Sequence, residues 1–520
     1  MPTLHIQAAR AWLRAVRLRS TTSLPCVDRV RQVETGARLR SRRGRDEFGT
    51  LVHKLGIVFV ALTLVVGLGA YFGWTPRLTA PSGTPENATE GPSASGPGLS
   101  LERPPKPPAV LTALDSRPAA TRRGVERMLA AAATDRSLGR HVGLVVESAG
   151  SGRALYESGG SDLVTPASTL KLLTVAAALA TLGPEHRFDT TVVRGRGPRS
   201  LVLVGGGDPL LTDRDRGRES ASDPRQASLQ DLARSTAREL RREGVRRVQL
   251  GYDASLFSGP SVSPAWEPSY VPDFVVSPIT SLWVDEGREI RGQTNRVVDP
   301  SAEAAARFAR LLGEERITVS GTITQTKAPA AVDLVATVQS RPLDEIAQHA
   351  LEQSDNEAAE VLLRHTAIAG GRPATFKGGV ATVEAALTDL GIDMSRARIY
   401  DGSGLSRDDA VPVSVIVDVI QLALSPDHPE LRMAAVGLPV AGFTGSLDYR
   451  FDDDAADGRG LVRAKTGTLT GVHGLAGLVT TADGELLVFA AIADEVPVVR
   501  TLDARAQLDE IASLLAGCGC

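Results

Sequence analysis

Cysteine is nearly absent from this 520-residue chain: there are three, Cys26, Cys518 and Cys520. One early residue and a tail pair two positions apart cannot build a disulfide framework or a cysteine-based zinc site. The pair is too close in sequence for an ordinary loop-closing bridge. Histidines are scattered and show no His-Glu-x-x-His spacing, so no metal and no other cofactor is expected. A Ser-His-Asp hydrolase has no support either, because no Gly-x-Ser-x-Gly elbow occurs. Aromatics make up only 4% of the chain. Lysine is scarce too: six residues, Lys54, Lys106, Lys171, Lys327, Lys377 and Lys465, against 52 arginines. A cation that only needs to be solvated or ion-paired is therefore usually arginine here. Lysine can be tuned to lose its proton and arginine cannot.

The net charge of −3 points to no nucleic-acid partner. It hides an asymmetry, because residues 1–54 carry a net +8 and the remainder −11. A charge-free apolar run, Gly56 to Trp74, follows the basic head, with Tyr71 and Trp74 at its far end. Its length matches the roughly 20 residues that span a bilayer. The positive-inside rule then places 1–54 in the cytoplasm and the bulk of the chain outside, tethered to the cytoplasmic membrane through one helix at 55–74. A secreted form after signal-peptide cleavage is the alternative. Residues 75–108 are rich in Pro, Gly, Ser and Thr and read as a flexible linker.

Beyond it, apolar strands are expected at Val142 to Glu147, Ala154 to Glu157, Leu475 to Thr481 and Leu486 to Ala493. Helices are expected at Thr169 to Leu182, Leu343 to Thr366, Val380 to Leu390 and Val413 to Leu424. A last helix, about Val499 to Leu515, places Leu502, Leu508, Ile511 and Leu515 roughly on one face. Residues 186–326 mix short strands with two amphipathic helices and read as an inserted, smaller domain. The flanks, 109–185 and 327–520, make one α+β unit whose antiparallel sheet joins both chain ends.

Three short motifs stand in order. Ser168-Thr169-Leu170-Lys171 opens an Ala/Leu-rich helix, where positions i and i+3 share a face. A serine hydroxyl needs a base to become a nucleophile. A lysine serves once burial or nearby positive charge lowers its pKa. Ser354-Asp355-Asn356 lies in a helical context: Ser354 can relay a proton to a leaving amine, and Asn356 can orient Lys171. Ser, Asp and Asn are also good helix caps, so this motif alone reads equally as a helix start. Lys465-Thr466-Gly467-Thr468 reads as an edge strand. There Lys465 and Thr466 can hold a carboxylate, Gly467 lets a ligand backbone approach, and a following N–H can face an oxyanion.

Ser-x-x-Lys, Ser-Asp-Asn and Lys-Thr-Gly together form the set shared by class A β-lactamases and penicillin-binding proteins. The stretches Val164-Thr165-Pro166-Ala167-Ser168, Leu203 to Pro209, Asp401 to Arg407 and Lys465 to Gly471 narrow this further. The chain resembles the D-alanyl-D-alanine carboxypeptidase/endopeptidase group of low-molecular-mass class C penicillin-binding proteins (peptidase family S13), over roughly residues 110–515. The resemblance implies the penicillin-binding/β-lactamase-like transpeptidase fold. It also implies a serine carboxypeptidase that acts on peptidoglycan stem peptides through a Ser168 ester, with endopeptidase action on cross-links as an extension. β-Lactams would act as inhibitors. The implied roles are Lys171 as base, Ser354 as proton relay, Lys465 and Thr466 as carboxylate binders, and the N–H groups of Ser168 and Thr468 as oxyanion donors. His473 stands where a small polar residue is expected and is read as packing or surface. The alternatives are a β-lactamase-like hydrolase and a non-catalytic cell-wall-binding protein of the same fold.

Overall fold

The structure, a computed structural model, describes residues 120–214, 226–331 and 333–519. The basic head at 1–54, the apolar span at 55–74 and the linker at 75–108 lie outside the described residues. No helix among the described residues is long and apolar enough to cross a membrane.

In chain order the strands are β1 (Val142–Ser148), β2 (Ala154–Ser158), β3 (Leu163–Val164), β4 (Asp189–Arg194), β5 (Ser200–Val204), β6 (Arg247–Asp253) and β7 (Thr318–Val319). They continue with β8 (Thr324–Gln325), β9 (Leu334–Gln339), β10 (Val411–Pro412), β11 (Val462–Leu469), β12 (Val472–Thr480) and β13 (Leu486–Ala493). The sheet that carries the site has the order β11-β12-β13-β1-β2, every neighbour antiparallel, so both chain ends meet in it. Side chains alternate between its faces with period two. Val145, Ala476, Ala490 and Ile492 join one core with the helix Lys171–Leu182. Leu144, Val146, Leu475 and Phe489 join another with Arg122–Leu129 and Thr501–Ala516. Burial on both faces explains why β1 and β13 read as continuous apolar runs rather than alternating ones.

Helix Lys171–Leu182 lies deepest. Its first nine residues, from Lys171 to Leu179, are all buried. An apolar surface on every side, with alanines that allow close approach, suits a helix surrounded by other elements. The terminal helix departs from the expected face. Leu502 is 73% exposed, and Ala504 takes its place beside Leu508, Ile511 and Leu515. Six residues separate Leu502 from Leu508, which turns it away from that stripe at 3.6 residues per turn.

The second sheet has the order β7-β6-β5-β4-β9, with β8 also beside β6. β5 and β6 are parallel, and the helix Leu229–Arg242 crosses between them. This sheet continues past the boundary at 326 expected from the sequence. β9, at Leu334–Gln339, pairs antiparallel with β4. β4 and β9 are thus neighbours, and the second sheet runs on to Gln339. The expected single helix from Leu343 to Thr366 is two, Leu343–Glu352 and Asn356–Ala369, broken where Ser354 adopts φ 57°.

Replacing Leu173, fully buried in the central helix, by alanine removes packing on every side. The expected loss in unfolding free energy is about 2–5 kcal/mol, read by urea denaturation.

Candidate active site

Ser168 lies in a short 3-10 turn, Ala167–Leu170, that runs directly into the helix Lys171–Leu182. Ala167 holds φ 47°, an uncommon left-handed geometry that only surrounding structure can maintain. The turn leaves Ser168 half-buried, while Lys171 beneath it is fully buried. Lys171 Nζ lies 2.8 Å from each of three oxygens: Ser168 Oγ, Asn356 Oδ1 and the Ser403 carbonyl. Burial pushes its pKa down to about 8, opposed by the charges of Asp401, Glu360, Asp355 and Glu357. When Lys171 is neutral, its two remaining protons can serve Asn356 and Ser403, and its lone pair then faces the Ser168 hydroxyl. That is the arrangement a base requires.

Asn356 opens the helix Asn356–Ala369. Asp355 caps that helix, its Oδ1 accepting from Ala358 N at 2.9 Å, and its Oδ2 meets His349 Nε2 at 3.1 Å. The cap falls to Asp355, and Asn356 instead meets Lys171. The left-handed Ser354 before the cap is half-buried, and its Oγ accepts from Lys465 Nζ at 2.7 Å. Lys465 is fully buried, and burial, followed by the charge of Lys171, holds its pKa well below the usual lysine range.

Lys465, Thr466, Gly467 and Thr468 lie on β11, the edge of the sheet. A Cβ at Gly467 would stand 2.9 Å from the Pro166 carbonyl oxygen and 3.2 Å from Thr169 Cγ2. Glycine is thus required here by the packing of the strand against the serine turn, besides any need of a ligand. Thr468 remains exposed at the open end of the strand. The structure brings together two hydrogen-bonded groups, Ser168–Lys171–Asn356 and Ser354–Lys465, close enough for the charge of Lys171 to act on Lys465, and the Thr466 carbonyl accepts from Lys465 Nζ at 2.9 Å.

Sequence reasoning assigned no role to several supporting groups. The stretch from Asp401 to Arg407 carries in the sequence only the family resemblance. Its Ser403 carbonyl holds Lys171, and its position is fixed from behind by Glu360, which accepts from the backbone N–H groups of Gly402 and Ser403 at 2.8–3.1 Å. Asp401 accepts from Gly404 N, Ser406 N and Trp266 Nε1, each at 2.7 Å. Nothing in the sequence sets Glu360 apart from Glu357 in the same helix; its role comes from the loop packed against it.

His473 is 1% exposed and sits opposite Thr468 in the β11–β12 register, so it is packing rather than surface. Burial, followed by Arg505 and Arg450, pushes its pKa down to about 4. One group among the described residues is spaced for a cation: Glu286, His349 and Asp355, with ligand atoms within 4.8 Å of one another. Arg288 already supplies positive charge there, with Nη2 2.6 Å from Glu286 Oε2.

A half-exposed serine held by a buried lysine, beside a second serine–lysine pair and an edge strand, is an arrangement suited to a serine acyl-enzyme. The model of the D-Ala-D-Ala carboxypeptidase 3 (S13) family matches residues 125–295 and 289–516, and the chain belongs to that family. It is a serine-type D-Ala-D-Ala carboxypeptidase. It is 35% identical to a carboxypeptidase of Mycobacterium tuberculosis over 429 residues, 80% of this chain and 90% of that one. It is 36% identical to carboxypeptidase DacB of Mycolicibacterium smegmatis over 422 residues, 79% and 88% of the two chains. In fold it is similar to penicillin binding protein 4 (dacB) of Haemophilus influenzae, with a TM-score of 0.62 and 21% identity over 74% of this chain and 97% of that one.

With Lys171 as the base, acylation would require its neutral form, and burial brings its pKa down to about 8. The penicillin acylation rate is therefore expected to rise about tenfold per pH unit below that value and to level off above it. Stopped-time intact mass across pH 6–9.5 measures this, and a flat profile contradicts the assignment.

Proposed function

We propose that the protein removes the terminal D-alanine from peptidoglycan stem peptides through an ester on Ser168. Supporting this most directly is Lys171, buried and 2.8 Å from Ser168 Oγ, Asn356 Oδ1 and the Ser403 carbonyl. Lys171 takes the hydroxyl proton as Ser168 Oγ attacks the carbonyl of the penultimate D-Ala. Backbone N–H groups of Ser168 and Thr468 receive the developing oxyanion. As the C–N bond breaks, Ser354 passes a proton to the departing amine. Ser354 is reprotonated at the expense of the proton that Lys171 took from Ser168, so Lys171 is neutral again and Lys465 keeps its own proton. Lys465 and Thr466 hold the free carboxylate of the leaving residue. Water then attacks the ester, Lys171 takes its proton, and as the C–O bond breaks Lys171 returns that proton to Ser168 Oγ. A β-lactam enters by the same attack, but its leaving amine stays tethered. The ester persists because nothing departs to admit water.

A β-lactamase needs a free carboxylate to activate that water. Both Glu360 oxygens and both Asp401 oxygens are instead engaged by backbone N–H groups or Trp266. Membrane attachment belongs to the same proposal. The basic head, the run from Gly56 to Trp74 and the linker at 75–108 would hold the enzyme outside the cell, near newly made wall.

Intact mass and peptide mapping after penicillin treatment are expected to place one adduct on Ser168. Lys171→Arg abolishes it, and Lys377→Arg, on an exposed position, leaves it unchanged. Pentapeptide muropeptides are expected to lose one terminal alanine. Splitting of cross-linked dimers adds endopeptidase action, whereas rapid penicillin turnover without action on muropeptides overturns the assignment. Protease added to spheroplasts is expected to release the body and leave a short membrane-bound fragment. A fully soluble, shortened protein points to signal cleavage instead.

A further inference from the structure

The hydroxyl of Ser446 stands at the carboxylate end of the site, although it belongs to none of the three motifs. Thr466 Oγ1 lies 2.9 Å from Ser446 Oγ. Two hydroxyls in contact own two protons, and their mutual hydrogen bond uses one. Whichever is the donor, one O–H is left to point at an anion. Ser446 is half-buried, and that contact is the one hydrogen bond its hydroxyl makes among the described residues.

The turn that carries it is held rigidly. Thr444 Oγ1 accepts from Val440 N at 3.0 Å, and Gly442 N donates to the Leu447 carbonyl at 2.9 Å. At Gly445, with φ +54°, a Cβ would come within 2.1 Å of the Glu352 carbonyl oxygen. The turn is therefore pressed against the end of the helix that leads into Ser354, on one side, and against β11 on the other. The hydroxyl is pre-positioned between two elements that carry catalytic groups.

We propose that Ser446 is a binding residue for the substrate's free C-terminal carboxylate, forming with Thr466 a hydrogen-bonded hydroxyl pair whose one free O–H meets the carboxylate beside the Lys465 ammonium. The inference rests on the reading that Lys465 and Thr466 face that carboxylate. It adds a requirement of its own: selectivity for a free over a masked carboxylate depends on Ser446.

The test compares wild type, Ser446→Ala and Ser446→Thr. Each is acylated by a penicillin and by the methyl ester of the same penicillin, and each is assayed for D-Ala release from pentapeptide. Losing one hydrogen bond to a charged group is expected to lower the acylation rate constant with the free acid, and kcat/KM for pentapeptide, about tenfold. The ester reaction should change less than twofold, so the acid-to-ester preference collapses. Ser446→Thr keeps the hydroxyl and restores most of the preference. Equal losses with acid and ester, or no loss with either, overturn the inference. Failure of wild type to form a Ser168 adduct overturns the underlying functional reading instead.

Discussion

A buried amine surrounded by oxygen is the constraint on which the rest of this site depends. Lys171 is fully buried, and an unpaired charge there would be prohibitively unfavourable. Its three acceptors come from three places in the chain: its own turn, the start of Asn356–Ala369, and the Ser403 carbonyl. Each must be held to within a few tenths of an ångström, and most of the surrounding architecture does that holding. Asp355 caps the asparagine's helix, Glu360 grips the peptide that presents Ser403, and Asp401 closes its own loop through two backbone N–H groups.

Close backbone contact ties the sheet to this lysine. At Gly404, φ +79°, a Cβ would stand 1.9 Å from the Ala167 carbonyl oxygen, and at Gly467 it would stand 2.9 Å from that of Pro166. Two glycines thus clamp the serine turn from opposite directions, the Ser403 loop on one side and β11 on the other. The left-handed Ala167 is a consequence of that confinement. A side chain at either glycine would move Ser168 relative to its base.

The parts of this arrangement legible in the sequence were those where residue type alone carries chemistry. In a chain with six lysines, Lys171 and Lys465 stood out because arginine was available and was not used. The strands of the main sheet were legible from apolar runs. The break at Ser354 was not, because the period of apolar residues continues in phase through it and the change lies in one backbone angle. Nor was the extent of the insertion, since β9 is a partly exposed strand whose partner, β4, lies some 140 residues earlier. Glu360 and Ser446 escaped because their roles come from what the fold places against them. Neither residue has a distinctive sequence neighbourhood. The membrane span was read from a segment outside the described residues and stands as part of the proposal.

The two lysines are also coupled through their charges. Lys171 has four carboxylates near enough to sustain its ammonium, which is why its pKa falls only to about 8. Lys465 has no such support: burial and the charge of Lys171 both act against its ammonium, and its pKa falls well below the usual range. An anionic ligand terminus beside Lys465 supplies the missing counter-charge and favours its ammonium. The repulsion is mutual, so each proton held on Lys465 makes one on Lys171 less favourable. As seen from Lys171, however, the ligand carboxylate brings a negative charge that offsets the added proton. Recognition of the free terminus therefore settles the charge of Lys465 and leaves that of Lys171 to burial and the four carboxylates around it.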